Sequence, residues 1–81
     1  MSRYYFNFVN GETRLDDEGV ELGDILALRK EAIRATSREM FLRNDGHEDF
    51  WSGEPAKLLV TDGPNASGET VLTIEMTARV T

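Results

Sequence analysis

From Asp24 to about Arg43 the chain runs without a glycine or a proline and is rich in Ala, Leu, Arg, Glu and Met. These residues lose little freedom in a helix, so the segment predicts one long helix. On a 3.6-residue wheel Ile25, Leu28, Ala32, Ala35, Thr36 and Met40 share a face, with Leu26 and Ile33 on its shoulder, while Lys30, Glu31, Arg34 and Arg38 lie opposite. Asp24 is placed to cap the start, and Asn44-Asp45-Gly46 to close the end behind an arginine in the last turn. A single amphipathic helix can cover only one face of a sheet. The rest of the chain therefore has to supply that sheet.

It does so in short pieces. Residues 3–9, RYYFNFV, are aromatic and β-branched enough to read as a strand, with Tyr4, Phe6 and Phe8 on one face and Tyr5, Asn7 and Val9 on the other. Asn10-Gly11 tolerates positive φ at both centres of a type I′ turn and predicts a hairpin into a second strand at about residues 12–16. After the helix, HEDFWSGEPA at 47–56 forms a connection without clear periodicity. KLLVTD, GPNASG and ETVLTIEM then read as strand, loop and strand. The order ββαββ with short connections predicts an α+β fold, a four-stranded antiparallel sheet with one long helix on one face. At 81 residues the chain is expected to be a single domain, 1–81. A domain of this size buries only about 60% of its unfolded surface, so association with another chain is an economical route to further stability.

Composition removes several classes of function. Without cysteine there is no disulfide framework, thiolate metal site or cysteine nucleophile. The opening MSRYYFNFVNG alternates polar and aromatic residues where a secretion signal needs an apolar run, and no window is as long and apolar as a membrane span, so a cytoplasmic, non-membrane protein is expected. A formal charge of −6 repels a phosphate backbone, and nucleic acid is not an expected partner. Against that trend Arg29, Lys30, Arg34, Arg38 and Arg43 gather in one segment, a basic helix face with Glu31 among them that reads first as a solvated surface.

The densest acidic stretch, LDDEGVELGD at 15–24, invites a metal. With Gly19 at the sixth position of a calcium loop, Asp16 and Glu18 fall on ligand positions, but Arg14 and Ile25 occupy the first and twelfth, and the pattern fails at both ends. A looser divalent-ion site would use Asp16, Glu18 and Glu21. The simpler expectation is a tight turn at Gly19, with Val20 and Leu22 reaching the core and the acids near the positive end of the helix dipole, each favoured there by about 0.3–1 kcal/mol. Arg29, read as lying within the apolar helix face, has to extend to solvent or meet Asp16, Glu18 or Glu39. His47, the lone histidine, has Glu48 and Asp49 beside it but no second histidine and no placed nucleophile, and reads as an exposed loop residue. Phe50 and Trp51 are either a lid on a small core or an anchor for a partner. The sequon Asn65-Ala66-Ser67 is a chance match in a chain expected to stay inside the cell. With no phosphate-binding glycine loop and no nucleophile elbow, neither catalysis nor a cofactor is expected.

Taken together, RYYFNFVNG, LDDEGVEL, the helix opening GDILALRKEA, KLLVTDG and TVLTIEM resemble a family of short bacterial proteins catalogued as a domain of unknown function, over nearly all of the chain. The features that carry the resemblance fall on Tyr4, Tyr5, Phe6 and Gly11, on Asp16, Glu18, Gly19, Glu21 and Leu22, and on Asp62 and Gly68. The loop Gly63–Ser67 is longer than the turn usual there. The resemblance implies no reaction, ligand or catalytic residue.

The sequence therefore predicts a small noncatalytic protein-interaction or regulatory module, expected to be homodimeric. Its interaction surface would draw on the sheet face that the helix leaves bare, carrying Tyr5, Val9, Leu59 and Val71, and on Phe50, Trp51 and Arg29. The alternative is a small-ligand or divalent-metal-binding regulator that uses the acidic turn 16–24 and Arg29.

Overall fold

The computed structural model describes residues 2–10, 12–43 and 48–79, with side chains except at 12, 41–43, 48 and 49. In chain order these form β1 (Ser2–Asn10), β2 (Glu12–Arg14), β3 (Val20–Leu22), α1 (Ile25–Ser37), a π-helical turn (Arg38–Arg43), the short helix α2 (Glu48–Trp51), β4 (Ala56–Thr61), a 3-10 turn (Pro64–Ala66) and β5 (Thr70–Met76). The sheet is antiparallel, ordered β2-β1-β4-β5, with β3 pairing the first residues of β1.

The α+β class and the antiparallel sheet are as the sequence predicts, but the sheet has five strands rather than four. The additional strand, β3, lies inside the acidic stretch that reads as a turn. Val20-Glu21-Leu22 pairs with Tyr4, Arg3 and Ser2 in register, and its short apolar alternation is masked by the carboxylates around it. β2 is correspondingly short. It ends at Arg14 rather than near Asp16, because the chain turns there. β1 does turn back into β2 beside Asn10-Gly11, but not through the expected type I′ turn: that turn would pair Val9 with Glu12, whereas Val9 pairs with Thr13 and Asn10, still in β1, with Glu12, and Gly11 lies outside the described residues. His47 and the helix stop Asn44-Asp45-Gly46 lie outside them as well. The connection read at 47–56 contains α2.

In the β1–β4 ladder Phe6 faces Val60 and Phe8 faces Leu58, and this register puts the apolar side chains of both strands beneath α1. Phe8, Leu58 and Val60 meet Leu28, Ala32, Ala35 and Met40 there, with Phe50 closing one end and Leu72, Ile74 and Met76 of β5 packed half-buried at the side. Asp24 caps α1 as expected, its Oδ1 accepting the Ala27 N–H at 2.8 Å. Past Ser37 the π-helical turn departs from the single long helix that the glycine- and proline-free run predicts. It carries the buried Met40, whose sulfur accepts from Asn10 Nδ2 at 3.6 Å.

The helix face is narrower than the wheel suggests. Leu28, Ala32, Ala35, Thr36 and Met40 are buried, whereas Ile25, Leu26 and Ile33 are 56%, 60% and 60% exposed. Ile25 sits in the first turn, one position past the cap and ahead of the first core contact at Leu28. Arg29 and Ile33 follow it at four-residue steps along a flank beside β5 rather than beneath the helix.

The opposite sheet face is not bare. Asn7 and Thr61 are completely or almost completely buried on it, because the loop after β4 folds back and seats its 3-10 turn against β1. Tyr5, Val9 and Leu59 are left half-buried, and only Val71, within β5, remains exposed among the apolar residues expected there. The length of the Gly63–Ser67 loop is what makes this covering possible.

If α1 is phased as described, Leu58→Ala lowers the free energy of unfolding by about 2–5 kcal/mol, while Ile33→Ala changes it by less than about 0.5 kcal/mol. Urea denaturation of the two variants measures the difference.

Candidate functional site

Two regions concentrate the residues that sequence reasoning selects, the acidic turn and the flank of α1. The acidic turn arises from a mismatch of length. Residues 15–19 lie between the two ladders that β2 and β3 make with β1, opposite residues 5–7 of β1, five positions against three. The surplus chain gathers into a turn, and Asp16 organises it. Its Oδ2 accepts the Phe6 N–H at 2.9 Å, and its Oδ1 accepts the N–H groups of Glu18 and Gly19, each at 3.1 Å. The latter pair is an Asx turn, in which a short side chain satisfies the backbone just after it. Gly19 is required at its position. It has φ of 74°, and a Cβ there would fall 2.8 Å from the Tyr5 ring and 2.9 Å from the Tyr4 carbonyl oxygen.

The main chain of Asp16 is equally engaged. Its N–H donates to Asn7 Oδ1 at 2.9 Å, and its carbonyl accepts the Asn65 N–H at 2.8 Å. Asn7 in turn donates from Nδ2 to the Leu59 carbonyl at 3.0 Å and to Thr61 Oγ1 at 3.2 Å, and Thr61 donates to the Gly63 carbonyl at 2.8 Å. One connected network thus ties the acidic turn, β1, β4 and the covering loop together. Around it Arg3 donates to the Glu18 carbonyl at 2.8 Å and pairs with the Glu21 carboxylate at 3.2 Å, on the surface, where such a pair contributes little.

Asp16, Glu18 and Glu21 are therefore neighbours that do not converge. Among the described residues no group of three His, Cys, Asp or Glu side chains is arranged to hold a metal ion. Only Asp24 caps the helix. Asp16 acts on the sheet instead, which corrects the expectation that these acids collect at the positive end of α1. Arg29 reaches none of its expected partners. It is exposed and makes no ion pair among the described residues, while Glu39 faces Arg14 at 3.6 Å. The ligand site that would combine the acidic turn with Arg29 is not assembled, since Arg29 lies on the flank of α1 facing β5. Phe50 is in the core as a lid, and Trp51, 54% exposed, meets it edge to face at 5.2 Å.

Two grooves flank α1. One, of about 380 Å³, runs between the helix and the acidic turn over Phe6, Phe8 and Leu58, and its rim carries Glu31, Arg14, Glu39 and Arg38, charges of both signs. The other, of about 400 Å³, lies between the helix and β5 and is formed by Arg29, Ala32, Ile33, Leu72, Thr73 and Ile74. It continues over the helix surface past Lys30, Arg34 and Arg38. β5 is the end of the sheet path, and its outer edge pairs with no strand among the described residues. Sequence reasoning places Ile33 on the shoulder of the buried face and Arg29 within it, so this groove is not anticipated. Nor is the role of Asn7, which alternation alone assigns to an outward position. No helix among the described residues is long and apolar enough to cross a membrane.

The structural reading of the acidic turn predicts that Asp16→Ala lowers the free energy of unfolding by about 1–3 kcal/mol, through the N–H groups it strands. Addition of calcium or magnesium should leave the backbone amide resonances of residues 15–30 where they are, and displacement confined to that stretch would instead establish an ion site.

None of the curated proteins and none of the solved structures matches the chain. A family model does, that of a domain of unknown function, DUF6894, over residues 3–77. The match takes in α1 and, apart from Ser2, all five strands, and with them the network of Asn7 and Asp16 and both grooves. The chain belongs to the DUF6894 family.

Proposed function

We propose that the chain is a small noncatalytic protein-interaction module whose working surface is the outer edge of β5 with the groove beside it. The observation that carries this reading is the contrast between the two edges of the sheet. On one side β2 and β3 are three residues each, separated by the acidic turn, and so offer no continuous edge. Interrupted, charged edges of this kind resist pairing with another chain. On the other side β5 is seven residues long, irregular at the exposed Val71 but regularly paired from Leu72 to Met76, with exposed Ile33 beside it. A long edge next to an apolar groove is suited to strand addition, in which main-chain hydrogen bonds supply affinity and alternate side chains supply specificity.

The noncatalytic part of the reading is supported by the employment of the acidic turn, where Asp16 satisfies backbone donors rather than facing an open cleft. A homodimer is one form this interaction can take. Two copies of β5 paired about Thr73 would set Leu72 against Ile74, but would turn the two Arg29 flanks toward each other.

A photo-crosslinking residue placed at Thr73 should give a discrete adduct in cells that make the chain, while the same residue at Thr13 on the opposite edge should not. Loss of the Thr73 adduct in an Ile33→Asp background is expected. Equal labelling from both edges, or none from Thr73, contradicts the proposed surface.

A further inference from the structure

We infer that the occupant of the β5 edge is an extended acidic segment of another protein, whose groove-facing side chains combine aliphatic groups with carboxylates. The inference rests on the reading of β5 as the working edge and adds the chemistry of what binds there.

The floor of the groove selects for aliphatic side chains. Ala32, Ile33, Leu72 and Ile74 line it, and a strand added along β5 would direct every second side chain toward them at a spacing of about 7 Å. The helix wall selects for negative charge. Arg29 borders the floor, and Lys30 and Arg34 follow it on the adjoining outer surface of the helix, with Arg38 beyond them toward the groove on the other side. Arg34 is held by Glu31 at 2.7 Å, whereas Arg29, Lys30 and Arg38 make no ion pair among the described residues. This cationic flank belongs to a chain with formal charge −6, so its sign is a local property and not a reflection of the whole molecule. A carboxylate next to the aliphatic floor would meet the Arg29 guanidinium, with Lys30 close by on the helix surface, and such complementarity determines which partners are accepted.

The same features discriminate among occupants. A polynucleotide would be repelled by the overall charge and would find an aliphatic floor in place of the aromatic platforms that stack bases. A second copy of this chain, paired through β5 about a two-fold axis, would place both helices on one face with their Arg29 flanks turned toward each other, cation toward cation. An acidic strand from a different protein shares the unfavourable overall charge, but it suits the aliphatic floor and sets carboxylates, not cations, against Arg29.

The test is selection of a displayed library of random twelve-residue peptides against the full chain, followed by titration of the enriched peptides into isotopically labelled protein. Enriched sequences should alternate aliphatic residues with others, carry net negative charge and shift the amides of residues 70–76 and 29–34. The double substitution Arg29→Glu with Lys30→Glu should weaken them about ten-fold or more, while Arg29→Lys should retain binding. These residues are exposed, and circular dichroism checks that each variant is folded. Neutral or basic peptides that map to β5 would overturn the acidic partner while leaving the working edge intact. No enrichment, or peptides mapping elsewhere, would overturn both. A free chain that sediments as a dimer, and as a monomer after Ile33→Asp, would assign the edge to a second copy and also overturn the inference.

Discussion

The carboxylate of Asp16 determines how the first third of this chain is arranged. Three backbone N–H groups, from Phe6, Glu18 and Gly19, end on its two oxygens, and the Asp16 main chain ties Asn7 on one side to Asn65 on the other. Without this set, residues 15–19 would be surplus chain beside β1, and β3 would lose the link that delivers it to Tyr4. The covering loop depends on the same residue. Asn65 and Ala66 both have positive φ, an unusual conformation for residues with a Cβ, and the Asn65 N–H bond to the Asp16 carbonyl helps to hold that turn over Asn7. At the other end of the loop Asp62 accepts the Glu69 N–H at 2.8 Å, and Gly68, with φ of 75°, leaves room for the Asp62 carboxylate that a Cβ would strike.

Those parts of the fold governed by local rules were legible in the amino-acid order. β1, β4 and β5 follow from β-branched and aromatic runs, α1 from a stretch of good helix formers, and its start from Asp24. Parts that depend on long-range satisfaction were not. Asn7 looks outward by alternation, yet it is buried because residues more than fifty positions away supply its acceptors. The five acids of LDDEGVELGD look like one feature, but three of them part ways, Asp16 into an Asx turn, Glu21 into a surface ion pair and Asp24 into a helix cap. Arg29 was misassigned for a related reason. The wheel gives the angle between residues but not which angle faces the sheet, and two small residues, Ala32 and Ala35, rather than the larger Ile25 and Ile33, set that phase.

This division has a functional consequence. On the β2 and β3 side the chain uses its polar groups to satisfy itself, and charges of opposite sign are paired across the neighbouring groove, as with Arg14 and Glu39. On the β5 side the regular run Leu72–Met76, exposed aliphatic side chains and cations unpaired among the described residues remain together. A small domain that closes one edge and leaves the other open is organised for contact on that open side.

The acidic turn is internally satisfied, and the exchange of the Phe6 amide hydrogen in the free protein tests that most directly. Its only described acceptor is the Asp16 carboxylate. Protection comparable to that of amides in the β1–β4 ladder is the predicted result. Exchange as fast as that of an unbonded surface amide would mean the carboxylate is not committed to the sheet, and the acidic turn would return as the candidate binding site.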